Sequence, residues 1–380
     1  MDVSIVGVAE TPPCRTSDRD LRALVLDAVR NALDDAGIRP SEVDGVVSDA
    51  GIMPNTVPAE FVAAHLGANR RFSCGSSFGG AGICAAPMLA EAALAGGHAS
   101  VVVCYFGVDW GSAPSGPYGF HDAYPAKRTF EKPYGFIAQP SYFALWARRY
   151  LNRHPEALAA FAELAVLHSE NAQKTTRSQL RNPTTLESYY NSPVVSDPLR
   201  VRDCCLISDG AGAFVMTSRS RARDCRKRPV HVLASALAAP PITGDDVFTQ
   251  NGNLTELPGA SEAMTAALSM ANIDRSDLDF AQIYDCFTIS CVLQLEGLGF
   301  CGEGEGASYV LDGHVRRNGR LPINTHGGLL AYSYRLGIEH VVEAVRQLRG
   351  EAGAGQLDDP QVGIVTGLSM PDYGVMVLGR

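Results

Sequence analysis

The strongest constraint on this chain is that part of it occurs twice. Ala32-Leu33, Ala36, Ile38, Ser41 and Asp44 recur as Ala267-Leu268, Ala271, Ile273, Ser276 and Asp279, each 235 positions further on. In both places a helical pattern ends, a short turn carries a serine and an acid, and an apolar strand follows. The helical residues 90–94 ahead of a strand at 100–105 are mirrored by 343–348 ahead of 362–366. Two copies of a βαβ-rich unit predict a duplicated α/β chain, a pseudo-twofold pair of mixed sheets with helices between them. Helices 83–95 and 336–349 are then expected to be buried where the copies meet.

At 380 residues the chain has length for two ordinary domains and a substantial core. No apolar run approaches the roughly 20 residues of a membrane span. The opening MDVSIVGVAETPP lacks a basic segment followed by an apolar core, so a cytoplasmic protein is expected. A net charge of −9 argues against nucleic acid as the main partner. None of the ten cysteines forms a C-x-x-C pair, which predicts reduced thiols rather than disulfides or zinc ligands. The histidines show no ligand spacing, and no metal is expected.

Along the first copy, residues 4–8 read as a strand and 21–36 as an amphipathic helix closed by Gly37. A second strand is expected at 43–48. Residues 75–82 form a glycine- and serine-rich elbow that opens a helix of small residues, 83–95, suited to close packing on all sides. From 110 to 200 aromatics, prolines and charges mix, with helices near 140–151 and 156–175, which predicts a cap inserted in the first half. Strand character returns over 201–217, with Ser208-Asp209-Gly210-Ala211 as a turn. The basic run SRSRARDCRKRP at 218–229 is a solvated linker or a contact for ligand phosphates. The expected division is therefore 1–217, linker 218–229, and 230–380.

The second copy carries the chemistry-bearing stretch, LPINTHGGLLAYSYRLGIEHVVEAVRQLR at 321–349. It turns on Gly327-Gly328 and places Tyr332 and Tyr334 ahead of a helix marked by Ile338, Val341, Val342, Val345 and Leu348. Free N–H groups and the positive dipole end converge where a helix begins. This stretch forms half of a candidate active site. Tyr284-Asp285-Cys286-Phe287 forms the other half.

These features together resemble the thiolase superfamily, nearest to its sterol-carrier-protein-x and lipid-transfer-protein (Ltp) branch. The resemblance rests on the duplicated halves, the glycine elbow, Asp209-Gly210-Ala211, Tyr284-Asp285-Cys286-Phe287, and Asn324-Thr325-His326-Gly327-Gly328-Leu329-Leu330-Ala331. It implies a five-layer αβαβα fold. The departures are equally specific. The slot for a nucleophilic Cys falls on Gly79 or Gly80, with Cys74 and Cys84 out of register. Ser333-Tyr334-Arg335 stands where thiolases read GHP, and Tyr284 stands where the sterol branch has His. The second Cys expected near the C-terminal glycine turn is absent from 362–374. The usual thioester route needs that Cys.

Two tyrosines at these places are similar to the Ltp-type retro-aldolases of steroid side-chain degradation. The resemblance implies cleavage of a β-hydroxyacyl-CoA, such as a 17-hydroxy steroid side-chain ester. The products would be a ring ketone and a short acyl-CoA such as propionyl-CoA. Tyr284 and Tyr334 would serve as the acid–base pair, with CoA as part of the substrate and no covalently bound cofactor. Asp285, His326 and Tyr332 are supporting candidates: His326 donates to the thioester oxygen or is structural, and Asp285 supports the chemistry or fixes the turn. Gly79, Gly80, Gly327 and Gly328 are candidate substrate contacts, the glycine at the nucleophile slot leaving room for a branched substrate. A phenol of pKa ~10 is a poor base, so one tyrosine needs a depressed pKa or a relay partner. The resemblance also implies a homodimer core joined by a small protein with an OB fold and zinc ribbon. Two other functions compete: an acyltransferase using Cys84 or Cys74, and a non-catalytic subunit that binds acyl-CoA or lipid.

Overall fold

The computed structural model describes residues 1–48, 55–76, 78–114, 116–117, 124–243, 249, 252–257 and 259–380. Residue 77 of the elbow and residues 115 and 118–123 of the cap lie outside the described residues. The first half runs β1 (Val3–Glu10), α1 (Leu21–Ala36), β2 (Gly45–Ser48), α2 (Ala59–Leu66), β3 (Phe72–Gly75), α3 (Gly82–Ala95) and β4 (Val102–Asp109). The cap follows with α4 (Gln139–Arg153), α5 (Ala157–Gln173), α6 (Leu186–Tyr190) and the small ladder β5 (Val194–Ser196) and β6 (Leu199–Arg200). Next come β7 (Asp209–Ser218), α7 (Arg219–Ala222), β8 (Val230–Ala238), α8 (Ala260–Ala271) and β9 (Phe280–Gln282). The chain closes with α9 (Thr288–Gly297), α10 (Gly306–Leu311), α11 (Ile338–Arg349), β10 (Val362–Leu368) and β11 (Tyr373–Gly379).

The repeat seen in the sequence is a repeat in space. Helix α1 is closed by Gly37 at φ 71° and α8 by Asn272 at φ 55°, both left-handed, at the same 235-residue displacement. A 3-10 turn follows each, Pro40–Glu42 and Arg275–Asp277, and then an edge-side strand. The paired acids do the same work. Asp44 accepts the backbone N–H groups of Ser100 and Val101, and Asp279 those of Gln361 and Val362.

Strand order is β3-β2-β4-β7-β1-β8-β11-β10-β9, the first five from the first half and the last four from the second. The expected pair of sheets is joined into one. β1 pairs with β8 at Val3↔Val232, Ser4↔His231 and Ile5↔Val230, because both strands are apolar and meet at the centre. Helices α1 and α2 cover the outside of the first half, and α8 covers β8 and β11. Both α3 and α11 touch strands of both halves, so they form the central layer of an α–β–α–β–α stack. Each interface holds its own apolar cluster: Val25, Val29 and Val215 under α1; Ile83, Val341 and Met376 at the centre; Met264, Phe143 and Trp146 beneath α8 and the cap.

Three local expectations are corrected. Residues 208–211 are not a turn: β7 starts at Asp209, whose carboxylate accepts N–H groups from Ser17, Gly111 and Ser112 and so pins the strand start between two loops. The strand does not reach back to 201, where a 3-10 turn lies. The stretch after Gly327 coils into a π-helical turn, Gly328–Tyr332, and α11 begins at Ile338 because Leu336 (φ 60°) and Gly337 (φ 85°) take the left-handed conformation first. The basic run 218–229 holds α7 and pairs with surface carboxylates, Arg221 with Glu42 and Lys227 with Glu351. No helix among the described residues is long and apolar enough to cross a membrane.

Candidate active site

The two tyrosines flagged in the sequence meet. Their phenol oxygens lie 2.7 Å apart, with the rings at 80°. Tyr284 follows β9 and is held through its backbone: its N–H donates to Thr366 Oγ1 at 2.9 Å, and its carbonyl accepts from Gln294 Nε2 at 2.9 Å. Tyr334 follows the π-helical turn. Its N–H donates to Ser208 Oγ at 3.0 Å, and its ring meets Trp110 edge-on at 4.7 Å. Both rings line a cavity of about 630 Å³, within the size range of small-molecule sites. Its other walls are Gly79 and Gly80, the β10–β11 turn at Leu368–Met370, and the cap at Ile137 and Phe143. Phe143 stacks on Phe287 at 4.4 Å, which ties the cap to the strand-end motif.

Burial governs the electrostatics here. It holds both phenols well above their usual pKa, with Tyr334 adding to the effect on Tyr284. Neither tyrosine is pre-ionised, so the expected depressed pKa is not met. What the geometry supplies instead is the relay partner, each phenol being the other's. Arg15 and Arg202 also reach the cavity wall, with no ion pair to any described residue, and among the described residues no Asp or Glu lines it.

The supporting candidates separate. Asp285 does not face the cavity. Its carboxylate accepts the N–H groups of Leu329 (2.9 Å) and Leu330 (3.1 Å) and lies 3.2 Å from His168 Nε2 and 3.1 Å from His340 Nε2. Burial alone would raise its pKa; His168, His340 and the N–H donors outweigh that and hold it low. Asp285 thus ties α5, the π-helical turn and α11 into one unit beside Tyr284.

His326 is buried behind the turn, against Tyr332 and His340 (ring centres 5.0 and 5.3 Å), and neither of its ring nitrogens has a hydrogen-bond partner among the described residues. Burial holds it neutral, well below the usual histidine range. Tyr332 turns away from the pair and donates to Glu10 Oε1 at 2.7 Å. Gly327 packs on Ala172 and Gly328 on Asp285, so neither contributes to the cavity wall. Gly79 and Gly80 do line the cavity, but the place a side chain would take at Gly80 is filled by the Tyr284 phenol.

Among the cysteines, neither Cys74 nor Cys84 lines the cavity, and Cys84 is fully buried in α3. Cys204, Cys205 and Cys286 do line it. Burial raises all three thiols, Cys286 to about 12, so they stay protonated.

Several residues had no sequence signal. Glu10, at the end of β1, accepts from Arg335 at 2.5 Å, Arg346 at 2.7 Å and Tyr332. Arg335 is fully buried and also donates to the Thr11 carbonyl at 2.7 Å. The residues flanking Tyr334 are thereby anchored on a strand more than three hundred positions away, and separations of that size carry no periodicity to detect.

Comparison with known proteins places this arrangement. The thiolase C-terminal domain-like family matches residues 243–380. Over 98% of both chains the protein is 33% identical to a 17-hydroxy-3-oxo-4-pregnene-20-carboxyl-CoA lyase of Mycobacterium tuberculosis (strain ATCC 25618 / H37Rv). This chain belongs to the steroid side-chain aldolase branch of the thiolase superfamily. A steroid side-chain-cleaving aldolase of Thermomonospora curvata is 31% identical over 98% of this chain and 97% of its own. A solved Ltp2-ChsH2(DUF35) aldolase superposes with a TM-score of 0.92 at 31% identity, covering 100% of this chain and 98% of that one. As an aldolase-branch chain, it keeps the layered frame and places a tyrosine pair at the junction of the two halves.

Proposed function

We propose that this chain is a retro-aldolase that cleaves a β-hydroxyacyl-CoA, of the 17-hydroxy steroid side-chain type, into a ring ketone and a short acyl-CoA such as propionyl-CoA. The observation that carries this reading is the 2.7 Å phenol pair in a cavity whose thiols are protonated. Tyr284 and Tyr334 act as the acid–base pair. One phenol accepts the substrate hydroxyl proton while passing its own to the other. The C–C bond breaks, its electrons move to the carbon α to the thioester, and the hydroxyl carbon becomes the ketone. In the same concerted relay the second phenol gives its own O–H proton to the α-carbon as it takes the first phenol's, so each phenol gains one proton and loses one. Because burial disfavours a phenolate, moving protons around this loop keeps both tyrosines neutral overall.

The cavity's charge supports a CoA ester: among the described residues two lining arginines have no ion-pair partner and no carboxylate lines the wall, which suits a phosphate-bearing ligand. The relatives named as a 17-hydroxy-3-oxo-4-pregnene-20-carboxyl-CoA lyase and as a steroid side-chain-cleaving aldolase support the substrate class. A homodimer core with a small OB-fold and zinc-ribbon partner accounts for two surface features. Among the described residues the edge strand β3 has no second neighbour. The cap rim exposes Phe130, Tyr134, Ile137, Val194, Val195 and Val201, three of which also line the cavity. The related aldolase whose name pairs Ltp2 with ChsH2(DUF35) supports the same reading.

The test is direct. The protein is co-expressed with a neighbouring OB-fold protein and given a β-hydroxy steroid acyl-CoA, and ketone and short acyl-CoA are followed. Tyr284→Phe and Tyr334→Phe are each expected to lower kcat by about 100-fold or more. Cleavage that survives both changes would sink the tyrosine mechanism. Full activity without any partner would remove the heteromeric part.

A further inference from the structure

We propose that Gly80 is the positioning residue that commits this site to tyrosine chemistry, by giving up its side chain to seat the Tyr284 phenol. The proposal rests on the reading of Tyr284 as one of the catalytic pair. A Cβ built on Gly80 would fall inside 3.0 Å of Tyr284 Oη and Cζ and of the Leu368 carbonyl oxygen, a separation real Cβ atoms do not show. A Cβ on Gly337 would also meet the ring, at Tyr284 Cε2 3.0 Å and Cδ2 3.1 Å, besides Ile83 Cδ1 at 2.9 Å, and φ 85° there favours glycine. The phenol ring therefore lies hard against two glycines, one ahead of each central helix.

Neither side can yield cheaply. The Gly80 backbone is backed by Gly367, where a Cβ would already press on the Gly80 carbonyl. Two residues on, a Cβ on Gly82 would meet Ser76 Oγ at 2.7 Å. Tyr284 is pinned at both its N–H and its carbonyl. A side chain at 80 must then push the ring, and the first thing lost is the 2.7 Å bond to Tyr334. A side chain at Gly80, one of the two positions on which the resemblance places the nucleophile slot, and the phenol at 284 thus occupy the same space. A thiol at 80 and a tyrosine pair at 284 and 334 exclude each other.

A double-mutant cycle tests this on the co-expressed complex. Gly80→Ala is expected to lower kcat by about 100-fold or more with KM within about 3-fold, because the hydroxyl is misplaced rather than the substrate unbound. Added to Tyr284→Phe, it should cost little further, since the group it acts through is already gone. Multiplying losses, or a Gly80→Ala enzyme as fast as wild type, would overturn the proposal.

If Gly80→Ala does not fold, melting temperature decides. The Gly80→Ala/Tyr284→Ala protein should fold and melt near Tyr284→Ala alone. A double variant that also fails, or an equal loss of melting temperature in both backgrounds, assigns the cost to Leu368 and overturns the coupling. An enzyme that cleaves nothing but shows the melting coupling keeps the seat and removes the function.

Discussion

Helices α3 and α11 occupy equivalent places in the central layer, yet their buried residues are opposite in kind. The buried face of α3 is Gly82, Ile83, Cys84, Ala85, Ala86, Pro87, Ala90 and Ala93. That of α11 includes Glu339, His340, Glu343 and Gln347 beside its aliphatic residues. Buried polar groups call for partners, and among the described residues Glu339, Glu343 and Gln347 of α11 each have one, while Glu339 Oε2 and His340 Nδ1 are left without. Glu339 accepts the Arg335 N–H at 2.8 Å, Glu343 accepts from Thr325 at 2.6 Å and Gln347 at 2.8 Å, and His340 faces Asp285. After duplication, one copy came to provide space and the other the network that aims side chains. The candidate active site lies where glycines from the first meet tyrosines from the second.

The contrast can be broken most forcefully at Asp285. Asp285→Ala strands two backbone N–H groups and two histidines in the interior, and a loss of about 3–5 kcal/mol is expected by denaturant unfolding. Cleavage should fall with it, because the turn bearing Tyr334 loses its anchor. The matching change in α3, Cys84→Ala, removes one buried sulfur. It should cost about 1–2 kcal/mol with kcat unchanged. Equal losses in stability and activity from the two changes would erase the division of labour.

Glu10→Gln probes the same network from the far strand. Glu10 stays ionised although burial works against it, because Arg335 and Arg346 offset that cost. The amide leaves the buried Arg335 without its counter-charge, an expected loss of about 2–3 kcal/mol. The expected kinetic effect is on kcat more than KM, since the residues moved flank Tyr334 and not the cavity wall. A KM-only change would mean that Glu10 serves binding.

The network also sets the response to acid. Burial holds His168 and His326 below the usual histidine range in the fold. The unfolded chain binds protons there below about pH 6.5 and the fold does not, so stability falls as pH drops from that value toward the folded pKa values. The slope is about 1.4 kcal/mol per pH unit for each histidine. Glu339 and Glu343, raised by burial, pull the other way. Comparing wild type with His326→Gln between pH 7 and 5 isolates one histidine, and the variant should lose less stability on acidification. Parallel pH curves would mean that His326 titrates in the fold as it does unfolded.

How much of this was legible in the sequence follows from the range of each interaction. The layers were, because Gly37, Asp44 and their counterparts Asn272 and Asp279 act within a few residues or through a repeated pattern. Tyr284 and Tyr334 were singled out because two motifs departed from a resemblance at chemical positions, though only the fold brings their oxygens together. The contact of Gly80 and Gly337 with the Tyr284 ring was not, since a glycine shows neither what it makes room for nor which side its neighbour approaches. Glu10 and Arg335 were not, because an ion pair between distant segments leaves no spacing. The joining of the sheets through β1 and β8 was hidden for a related reason: the strands alone do not state which edges meet.

The smallest effect expected is also the sharpest test of common origin. Asp44 and Asp279 each accept two backbone N–H groups, at 2.7 and 2.9 Å and at 2.7 and 3.0 Å, at the same point of each copy. Asp44→Asn and Asp279→Asn leave an oxygen for one bond and remove the charge that strengthens both. Each should cost about 1 kcal/mol, and the two should agree and add within about 0.5 kcal/mol. Arg71, 3.9 Å from Asp44, adds little at that exposure. Matched costs would mean that the frame kept its original energetics in both copies while the central helices diverged. A large excess at Asp279 would instead place part of the site's support in the repeat unit itself, since β9 leads directly into Tyr284.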